Sequence, residues 1–343
     1  MPEGAEVLII RLRSLGDVVL LTPALSAVHS WRPDLRLSVL VEAFCSPLLE
    51  GNPAVAEILL MDGFFSTAAK LRRRHFPVVY NQHAGPTSAF LTAATGSKNR
   101  VCWTRRQLSF VYNVLVTDPG DKIHTVEHRM EQFYATGLPR GPIPSARVYP
   151  QADARAAASE RLAKAGIAPG VTYAVIHPGG KYFTKRWAID SFVSLARWLK
   201  EKQGLEPVFS AGSSETEIAN ELRRESGREF VLLDSLDVRQ LIALIAGARI
   251  FVGNDSGPTH IATATGRPVV VIFGSSSSVH WRPWRTANRV VQNDFPCNPC
   301  AGDRCYAFAE PRCILSVTLE QVQAACEALL AESAPAFAAT KIQ

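Results

Sequence analysis

An acid, a Ser-Gly pair and a histidine stand between two apolar runs in the stretch RIFVGNDSGPTHIATATGRPVVVIFGSSSS, residues 249–278. The first run predicts a buried strand that ends near Asp255, and PTHIATATG predicts a helix of small residues that packs closely on the sheet. The free N–H groups at a helix N-terminus bind anions. We therefore predict a diphosphate site at Asp255, Ser256 and Gly257, with His260 as structural support packed beneath the loop.

A second strand end, HPGGKYFTKRW at residues 177–187, joins a flexible Gly-Gly turn to three cations, Lys181, Lys185 and Arg186. Backbone N–H groups next to a lysine make a phosphate cradle. The spacing differs from that of a Walker motif, and a solvated basic loop before a helix is the alternative interpretation.

Acids open the helix that follows the strand in FSAGSSETEIANEL. Either Glu215 or Glu217 has the chemistry to accept hydrogen bonds from ribose hydroxyls. Acids are also favoured in the first turn of a helix because the helix dipole attracts negative charge there. From the residues alone, this structural explanation is preferred.

The N-terminal stretch RLRSLGDVVLLTPAL, residues 11–25, ends a buried strand in a Ser-Leu-Gly turn. Gly16 permits a tight turn and the close approach of a ligand, and Asp17 opens the next helix. Asp17 is then either a helix cap or a base that faces a ligand, and the residues alone favour the cap. No GxGxxG motif follows the strand, so a dinucleotide fingerprint is absent.

Four of the seven cysteines lie close together in CNPCAGDRCYAFAEPRC, namely Cys297, Cys300, Cys305 and Cys313. A CxxC pair with two further cysteines has the ligands for zinc or an iron–sulfur cluster. Their spacing matches neither a zinc ribbon nor a ferredoxin. We therefore predict reduced, partly buried thiols, no bound metal and no cofactor.

Short apolar runs alternate with amphipathic segments along the chain, the pattern of parallel β-α-β units. The first half has five strand-like runs, VLIIRL, LRLSVLVEA, AEILLMD, FPVVYNQ and NRVCWT, with helical segments such as STAAKLRRRH between them. A Pro-rich linker, LPRGPIPSARVYPQAD, precedes five further runs, TYAVIHPGG, EPVFSAGS, FVLLDS, RIFVGND and RPVVVIFG. We predict an α/β fold of two doubly wound domains, residues 1–150 and 151–343, that face each other across a cleft. Ligands bind beyond the carboxyl ends of strands in such sheets.

The 343-residue chain has a net charge of +6 and a pI near 9.0, a balance that favours anionic partners. It contains no RNP motif, helix-turn-helix or interleaved basic and aromatic pattern, so we expect no nucleic acid partner. The N-terminus lacks the apolar core of a signal peptide, and no apolar stretch reaches the length of a membrane span. We expect a cytoplasmic protein.

These segments, in this order along nearly the whole chain, resemble glycosyltransferase family 9, the ADP-heptose:lipopolysaccharide heptosyltransferases. RLRSLGDVVLLTPAL is similar to the family's strand–GD–helix opening, HPGGKYFTKRW to its PG…KRW segment, and NDSGPTHIATATGRPVVVIFG to its most specific signature. FPCNPCAGDRC is similar to a segment of heptosyltransferase II-like members. The resemblance implies the GT-B architecture, in which the N-terminal domain binds the acceptor and the C-terminal domain binds the ADP-sugar donor.

The resemblance also implies roles for individual residues. Asp17 matches the family's catalytic base, and Lys185 matches its phosphate-contacting lysine. The donor-binding acid and the diphosphate-binding helix start match Asp255, Ser256 and Gly257. The ribose-binding acid falls in the SSETE turn, where either glutamate fits.

The implied activity is inverting transfer of a heptose from ADP-heptose to the inner core of lipopolysaccharide, with no obligatory metal. The acceptor would be an anionic, lipid-linked glycan, so peripheral contact with the inner face of the inner membrane is expected. Four arginines of the first domain are candidates for binding the acceptor: Arg72, Arg73, Arg105 and Arg106. An arginine run is, however, more often a solvated face. The alternatives are a GT-B transferase or epimerase that uses another nucleotide sugar, and a non-catalytic nucleotide- or glycan-binding protein.

Overall fold

The computed structural model describes residues 2–104 and 106–340, with side chains up to residue 333. The chain divides into two compact units, residues 1–149 and 150–343, and each is described by itself. Arg105, one of the arginines predicted to bind the acceptor, lies outside the described residues. Within the described ranges, no helix is both long enough and apolar enough to cross a membrane.

The first unit is built on a six-stranded sheet in which neighbouring strands are parallel. Its strands are β1 (Glu6–Ile10), β2 (Arg36–Glu42), β3 (Glu57–Met61), β4 (Val78–Asn81), β5 (Asn99–Trp103) and β6 (Val114–Val116). Its helices are α1 (Leu15–Val19), α2 (Thr22–Trp31), α3 (Phe64–Arg72), α4 (Pro86–Ala94) and α5 (Thr125–Tyr134). The strand order β3-β2-β1-β4-β5-β6 is that of a doubly wound nucleotide-binding sheet.

The second unit repeats this architecture with a second six-stranded parallel sheet. Its strands are β7 (Tyr173–His177), β8 (Glu206–Ser210), β9 (Val231–Leu233), β10 (Ile250–Asn254), β11 (Val269–Ile272) and β12 (Asn288–Val291). Its helices are α6 (Ala152–Lys164), α7 (Ile189–Gln203), α8 (Thr216–Ser226), α9 (Val238–Gly247), α10 (Gly257–Ala264), α11 (Ser278–Trp281), α12 (Arg312–Leu315) and α13 (Leu319–Thr340). The order β12-β11-β10-β7-β8-β9, read from its other edge, matches that of the first unit. The prediction of two doubly wound α/β sheets is confirmed.

Continuous apolar strands explain why helices cover both faces of each sheet. The central strands β1 and β10 are buried along almost their whole length. In the first unit Ile10 packs with Leu71 of α3 and Leu91 of α4. In the second unit Val252 packs with Phe192 of α7. These cores hold the strand ends, and the loops that leave them, in fixed positions.

Two edge strands and several helices, including α6, escaped the sequence analysis. β6 and β12 are short strands at sheet edges and are partly exposed, so neither contains an apolar run that predicts a strand. The predicted linker has no helix or strand through residue 151, but α6 begins inside it at Ala152. The buried face of α6 includes Ala154 and Ala158, which pack with Ala243 of α9. Alanine gives a weak hydrophobic signal, and the helix was missed for that reason.

The strand order reverses between β1 and β4 in the first sheet and between β7 and β10 in the second. Loops leaving two strands on either side of such a reversal diverge and open a crevice where ligands bind. Three of the predicted chemical stretches follow β1, β7 and β10, and the fourth follows β8, the neighbour of β7. The fold therefore places each stretch at or beside the reversal in its own sheet.

Candidate functional site

One buried side-chain amide, that of Asn254, organises the carboxyl edge of the second sheet. Its Oδ1 accepts a hydrogen bond from the N–H of Trp187 at 3.1 Å, and its Nδ2 donates to the carbonyl of Pro178 at 2.8 Å. The side chain is fully buried at the end of β10. It joins two stretches that were predicted separately: the loop after β10 and the HPGGKYFTKRW segment.

Lys185 and Asp255 form an ion pair at this edge, with Nζ 2.7 Å from Oδ2. Lys185 ends a short 3-10 turn, Phe183–Lys185, and Asp255 directly follows β10. Asp255 is almost fully buried, while Lys185 stays partly exposed. A cation that is already held on one side binds an anion on its open side with less ordering cost than a mobile one.

The helix α10 begins immediately after this pair, with Ser256 as its N-cap and Gly257 as its first residue. The hydroxyl of Ser256 is buried and has no hydrogen-bond partner among the described residues. A buried polar group without a partner costs about 1–3 kcal/mol, so such a group is expected where a ligand completes its bonding. His260, further along α10, is buried, with its ring centre 6.2 Å from that of Trp281.

Of the two glutamates predicted to bind ribose, Glu215 is the one that faces the HPGG turn. Its Oε2 accepts a hydrogen bond from the N–H of Gly212 at 2.7 Å, and its Oε1 lies 3.5 Å from Nε2 of His177. Burial raises the pKa of Glu215, but the contacts with His177 and Gly212 outweigh burial and lower this pKa to about 2. Glu217 is exposed in the first turn of α8. The geometry therefore favours Glu215 over Glu217 as a ligand-facing acid.

The cysteine-containing segment supports the same edge of the sheet. The N–H of Cys300 donates to the carbonyl of Ser275 at 2.9 Å, and the hydroxyl of Thr184, next to Lys185, donates to the carbonyl of Gly302. Among the described residues, no three His, Cys, Asp or Glu side chains are placed to hold a metal ion. The four clustered cysteines are free thiols. They line one cavity of about 30 Å³: Cys297, Cys300, Cys305 and Cys313.

Ser276 is a candidate site residue that sequence reasoning missed. It follows β11, the neighbour of β10, and its buried hydroxyl has no partner within the described part of the chain. The run FGSSSS was interpreted only as a loop, because four consecutive serines give no indication of which one points inward. The structure distinguishes Ser276 from Ser275, whose hydroxyl lies 3.1 Å from that of Thr184.

At the carboxyl edge of the first sheet, Asp17 lies between two arginines. Its Oδ1 is 2.5 Å from a guanidinium nitrogen of Arg11 and 2.5 Å from one of Arg129, and its Oδ2 accepts a hydrogen bond from the hydroxyl of Ser14 at 2.9 Å. Ser14 is the N-cap of α1, so Asp17 both closes the helix start and neutralises buried cations. Gly16 is buried in α1 and its φ is not positive, so the turn does not depend on the left-handed conformation that glycine allows.

The two arginines control the electrostatics of this edge. Burial raises the pKa of the Asp17 carboxyl, but the positive charges of Arg11 and Arg129 outweigh burial and hold this pKa well below its usual range. Asp17 is therefore ionised at neutral pH, and two guanidiniums against one carboxylate leave a net positive charge. Sequence reasoning missed Arg129 because 112 positions separate it from Asp17, and its helix α5 contains no motif.

His83 follows β4, on the other side of the strand reversal from Asp17. Burial and the charge on Arg11 lower the pKa of His83 to about 4, so its imidazole is neutral at pH 7. Its Nδ1 is buried without a partner among the described residues. Arg11 donates to the carbonyl of Gln82 at 2.6 Å, which fixes the ends of β1 and β4 together. His83, like Arg129, is a candidate site residue of the first unit that no motif indicated.

The surface arginines predicted to bind the acceptor are not gathered around Asp17. Arg72 ends α3 and Arg73 follows it, and this helix returns from the carboxyl edge of the sheet to its amino edge. They therefore lie at the opposite edge of the sheet from Asp17. Arg106 pairs with Asp118 at 2.6 Å. Acceptor binding by these arginines stays a prediction.

Comparison with known proteins finds relatives of this chain in sequence and in fold. Lipopolysaccharide heptosyltransferase 3 of Escherichia coli is 26% identical over 301 residues, which cover 82% of this chain and 86% of that protein. A glycosyl transferase family 9 structure from Veillonella parvula superposes with a TM-score of 0.86 at 18% identity, covering 97% of this chain and 99% of that one. The ADP-heptose LPS heptosyltransferase II of E. coli superposes with a TM-score of 0.80 at 21% identity, covering 96% and 99%. The two structural likenesses show that the fold is shared.

The family itself is shown by a sequence model. The model of glycosyltransferase family 9 (heptosyltransferase) matches residues 64–308, more than half of the chain. The match includes the HPGG, KRW and DSG stretches, and the resemblance inferred from them is confirmed. The chain therefore belongs to glycosyltransferase family 9, and the protein is a glycosyltransferase.

Proposed function

We propose that this enzyme transfers a heptose from ADP-heptose to an anionic, lipid-linked acceptor of the lipopolysaccharide inner core, with inversion at the anomeric carbon. The observation that carries the proposal is the anion site of the second unit, where the Lys185–Asp255 pair meets the unpaired hydroxyl of Ser256. The names of relatives support the substrates, since one is a lipopolysaccharide heptosyltransferase and another is named for ADP-heptose.

The donor diphosphate is proposed to bind at the N-terminus of α10. The free N–H groups of the helix, the hydroxyl of Ser256 and the ammonium of Lys185 supply hydrogen-bond donors and positive potential there. Negative charge builds up on the diphosphate as its bond to the sugar breaks. Groups that are already fixed in place stabilise this charge without reorganisation, and the proposed reaction needs no metal for this purpose.

The ribose of the donor is proposed to bind at Glu215. The carboxylate is ionised and held by Gly212 and His177, so it accepts hydrogen bonds from hydroxyl groups and cannot donate them. Gly179 lies directly against it, since a Cβ built on Gly179 would stand 1.9 Å from Oε1 of Glu215. This absence of a side chain at residue 179 gives the glutamate its space.

The acceptor is proposed to bind to the first unit near Arg11 and Arg129. Both guanidiniums contact Asp17, and the Nε atom of each is buried without a partner among the described residues. Their net positive charge suits a phosphate or carboxylate group of the acceptor. We further propose that the enzyme works in the cytoplasm at the inner face of the inner membrane, because the acceptor is lipid-linked.

Asp17 is proposed as the general base. The oxygen of an acceptor hydroxyl attacks the anomeric carbon, its proton passes to the carboxylate of Asp17, and ADP leaves with the electron pair of the broken bond. The ion pairs with Arg11 and Arg129 make Asp17 a weak base before the acceptor binds. An anionic group of the acceptor competes for these arginines, which raises the pKa of Asp17 when a proton must be accepted.

A donor screen tests the activity as a whole. We expect the full-length protein to bind ADP-heptose more tightly than ADP-glucose, UDP-sugars or GDP-sugars, as measured by calorimetry, and to release ADP only when acceptor is present. Tightest binding of a UDP- or GDP-sugar would instead favour another nucleotide-sugar enzyme. Donor binding without transfer to any core acceptor would favour a non-catalytic binding protein.

Lys185→Ala tests the diphosphate site. The change removes one charged contact, worth about 1.5–3 kcal/mol, and leaves the buried Asp255 without its cation. We expect ADP affinity, measured by calorimetry, to fall at least about tenfold. Lys181→Ala is the matched control, since Lys181 lies in the same loop with its ammonium over the ring of Tyr182. Equal ADP affinity in the two variants would exclude Lys185 from the site.

Gly179→Ala tests the ribose site without changing a charged residue. The new Cβ would collide with Glu215 and with Nε2 of His177, 2.6 Å away, so Glu215 must move. We expect weaker binding of ADP and unchanged binding of inorganic pyrophosphate, both measured by calorimetry. Gly180→Ala is the control, because its nearest neighbour would be 3.5 Å away. If both ligands lost affinity equally, the effect would come from the diphosphate site and not from Glu215.

Asp17→Asn tests the base. Asn keeps the shape but removes the proton acceptor, so we expect kcat to fall by ~10²–10⁴-fold while ADP affinity stays the same. The melting temperature should also fall, because two buried arginines lose their counterion. Ser14→Ala removes the helix-start contact and keeps the carboxylate, so its turnover should stay near wild type. Near-normal turnover in Asp17→Asn would remove Asp17 from the mechanism.

A further inference from the structure

Positive charge is concentrated in one acid-free segment of the first unit. Residues 63–117 contain no Asp or Glu, although the chain has 31 acids in all. The segment has eight basic residues: Lys70, Arg72, Arg73, Arg74, Lys98, Arg100, Arg105 and Arg106. It includes α3 and α4, which lie next to each other on one face of the sheet. Half of these cations lie in α3 or directly after it, so the end of α3 is the part of this face that attracts a negatively charged partner.

Three phenylalanines of the same segment expose their rings. Phe65 is 85% exposed, Phe110 is 80% exposed and Phe90 is 49% exposed. The ring of Phe64 contacts those of Phe65 and Phe90 edge-on, at centroid distances of 5.3 and 6.5 Å. The rings of Phe64, Phe65 and Phe90 therefore form one patch. Phe110 extends it, since its neighbour Val111 packs against Ala89 of α4. Apolar patches of this kind on a soluble unit mark interaction surfaces.

The aromatic and basic side chains share the outer face of α3. One stripe of α3 is formed by three exposed residues, Phe65, Ala69 and Arg72. They are spaced four and three residues apart, so they lie on the same side of the helix. Phe65 lies at the carboxyl edge of the sheet, the edge at which Asp17 lies, and Arg72 lies about one and a half to two turns further along the axis. The α3–α4 face therefore exposes aromatic rings near the carboxyl edge of the sheet and basic side chains toward its amino edge.

Arg72 and Arg73 are the cations of this face that are available to a partner. The carboxylate of Asp62 neutralises Lys70, and Arg74 pairs with Glu6 and Glu57. Within the part of the chain that the structure describes, Arg72 and Arg73 have no carboxylate partner.

We infer that the α3–α4 face docks on an anionic phospholipid bilayer, with Phe65 and Phe110 entering the boundary of the acyl chains and Arg72 and Arg73 binding lipid phosphates. This inference rests on the proposed function, whose acceptor is lipid-linked. A second copy of the chain fits the face less well, because a twofold contact would place Arg72 and Arg73 against the same cations. Exposed aromatic rings with adjacent arginines are the pattern of interfacial membrane binding.

Vesicle flotation of the full-length protein tests the docking face. We expect binding to vesicles of equal parts phosphatidylcholine and phosphatidylglycerol, weaker binding to phosphatidylcholine alone, and loss of the difference at high salt. Phe65→Ser with Phe110→Ser should weaken binding to the anionic vesicles about tenfold or more. Arg72→Gln with Arg73→Gln should weaken it to a similar degree, since each cation near such a surface is attracted to the anionic lipids.

Two matched controls come from the second unit. Lys200→Gln with Lys202→Gln removes two cations from the last turn of α7, and Val171→Ser with Leu315→Ser removes two exposed apolar side chains. Neither pair should change vesicle binding. The inference is overturned if the wild type does not bind anionic vesicles, or if the control pairs weaken binding as much as the test pairs. It is also overturned if sedimentation shows a dimer that the Phe variant dissociates.

Transfer to a deacylated, water-soluble acceptor separates this inference from the proposed function. The Phe65→Ser, Phe110→Ser variant should keep wild-type turnover with this acceptor and lose turnover with a vesicle-embedded one. Loss of turnover with both acceptors would overturn the docking role and place the rings in the acceptor site. Absence of transfer by the wild type would defeat the proposed function, while the vesicle-binding result would still decide the docking face.

Discussion

The carboxyl edge of the second sheet depends on the side-chain amide of Asn254. A buried amide that loses its partners costs more than the hydrogen bonds were worth, so its contacts with Trp187 and Pro178 are effectively obligatory. The first contact fixes the segment that begins at Lys185, and the second fixes the turn against which Glu215 rests. One residue at the end of the central strand thereby sets the geometry of the proposed diphosphate site and of the proposed ribose site together.

The two units use one strand order for different chemistry because their polar centres differ. In the second unit a neutral amide ties backbone groups together and leaves Lys185 partly exposed. In the first unit the carboxylate of Asp17 is itself the centre, held by Arg11 and Arg129. In the proposed function, the first arrangement presents fixed hydrogen-bond donors to an anion, whereas the second balances a base against the charges that weaken it. The fold places these polar groups at the strand reversal, and the chemistry possible there depends on their side chains.

Sequence analysis predicted the parts of this structure that depend on local signals. Central strands such as β1 and β10 contain apolar runs, and the turns after them contain Gly and Asp. It could not predict Arg129, His83 or Ser276, because each reaches the candidate site of its own unit by tertiary packing and carries no motif. It also could not decide between Glu215 and Glu217, since the two differ only in the side of the helix start that they face.

The distribution of charge also changes how the basic pI is interpreted. A net charge of +6 favours anionic partners, but the cation beside the start of α10, Lys185, is already paired with Asp255. Residues 63–117 contribute eight positive charges and no negative one, so the rest of the chain carries a net charge of −2. Three of the eight cations are paired with carboxylates from outside the segment, whereas Arg72 and Arg73 have no carboxylate partner in the described part of the chain. The basic pI therefore bears on the proposed docking face, while the proposed recognition of the donor depends on a few fixed groups whose charges nearly cancel.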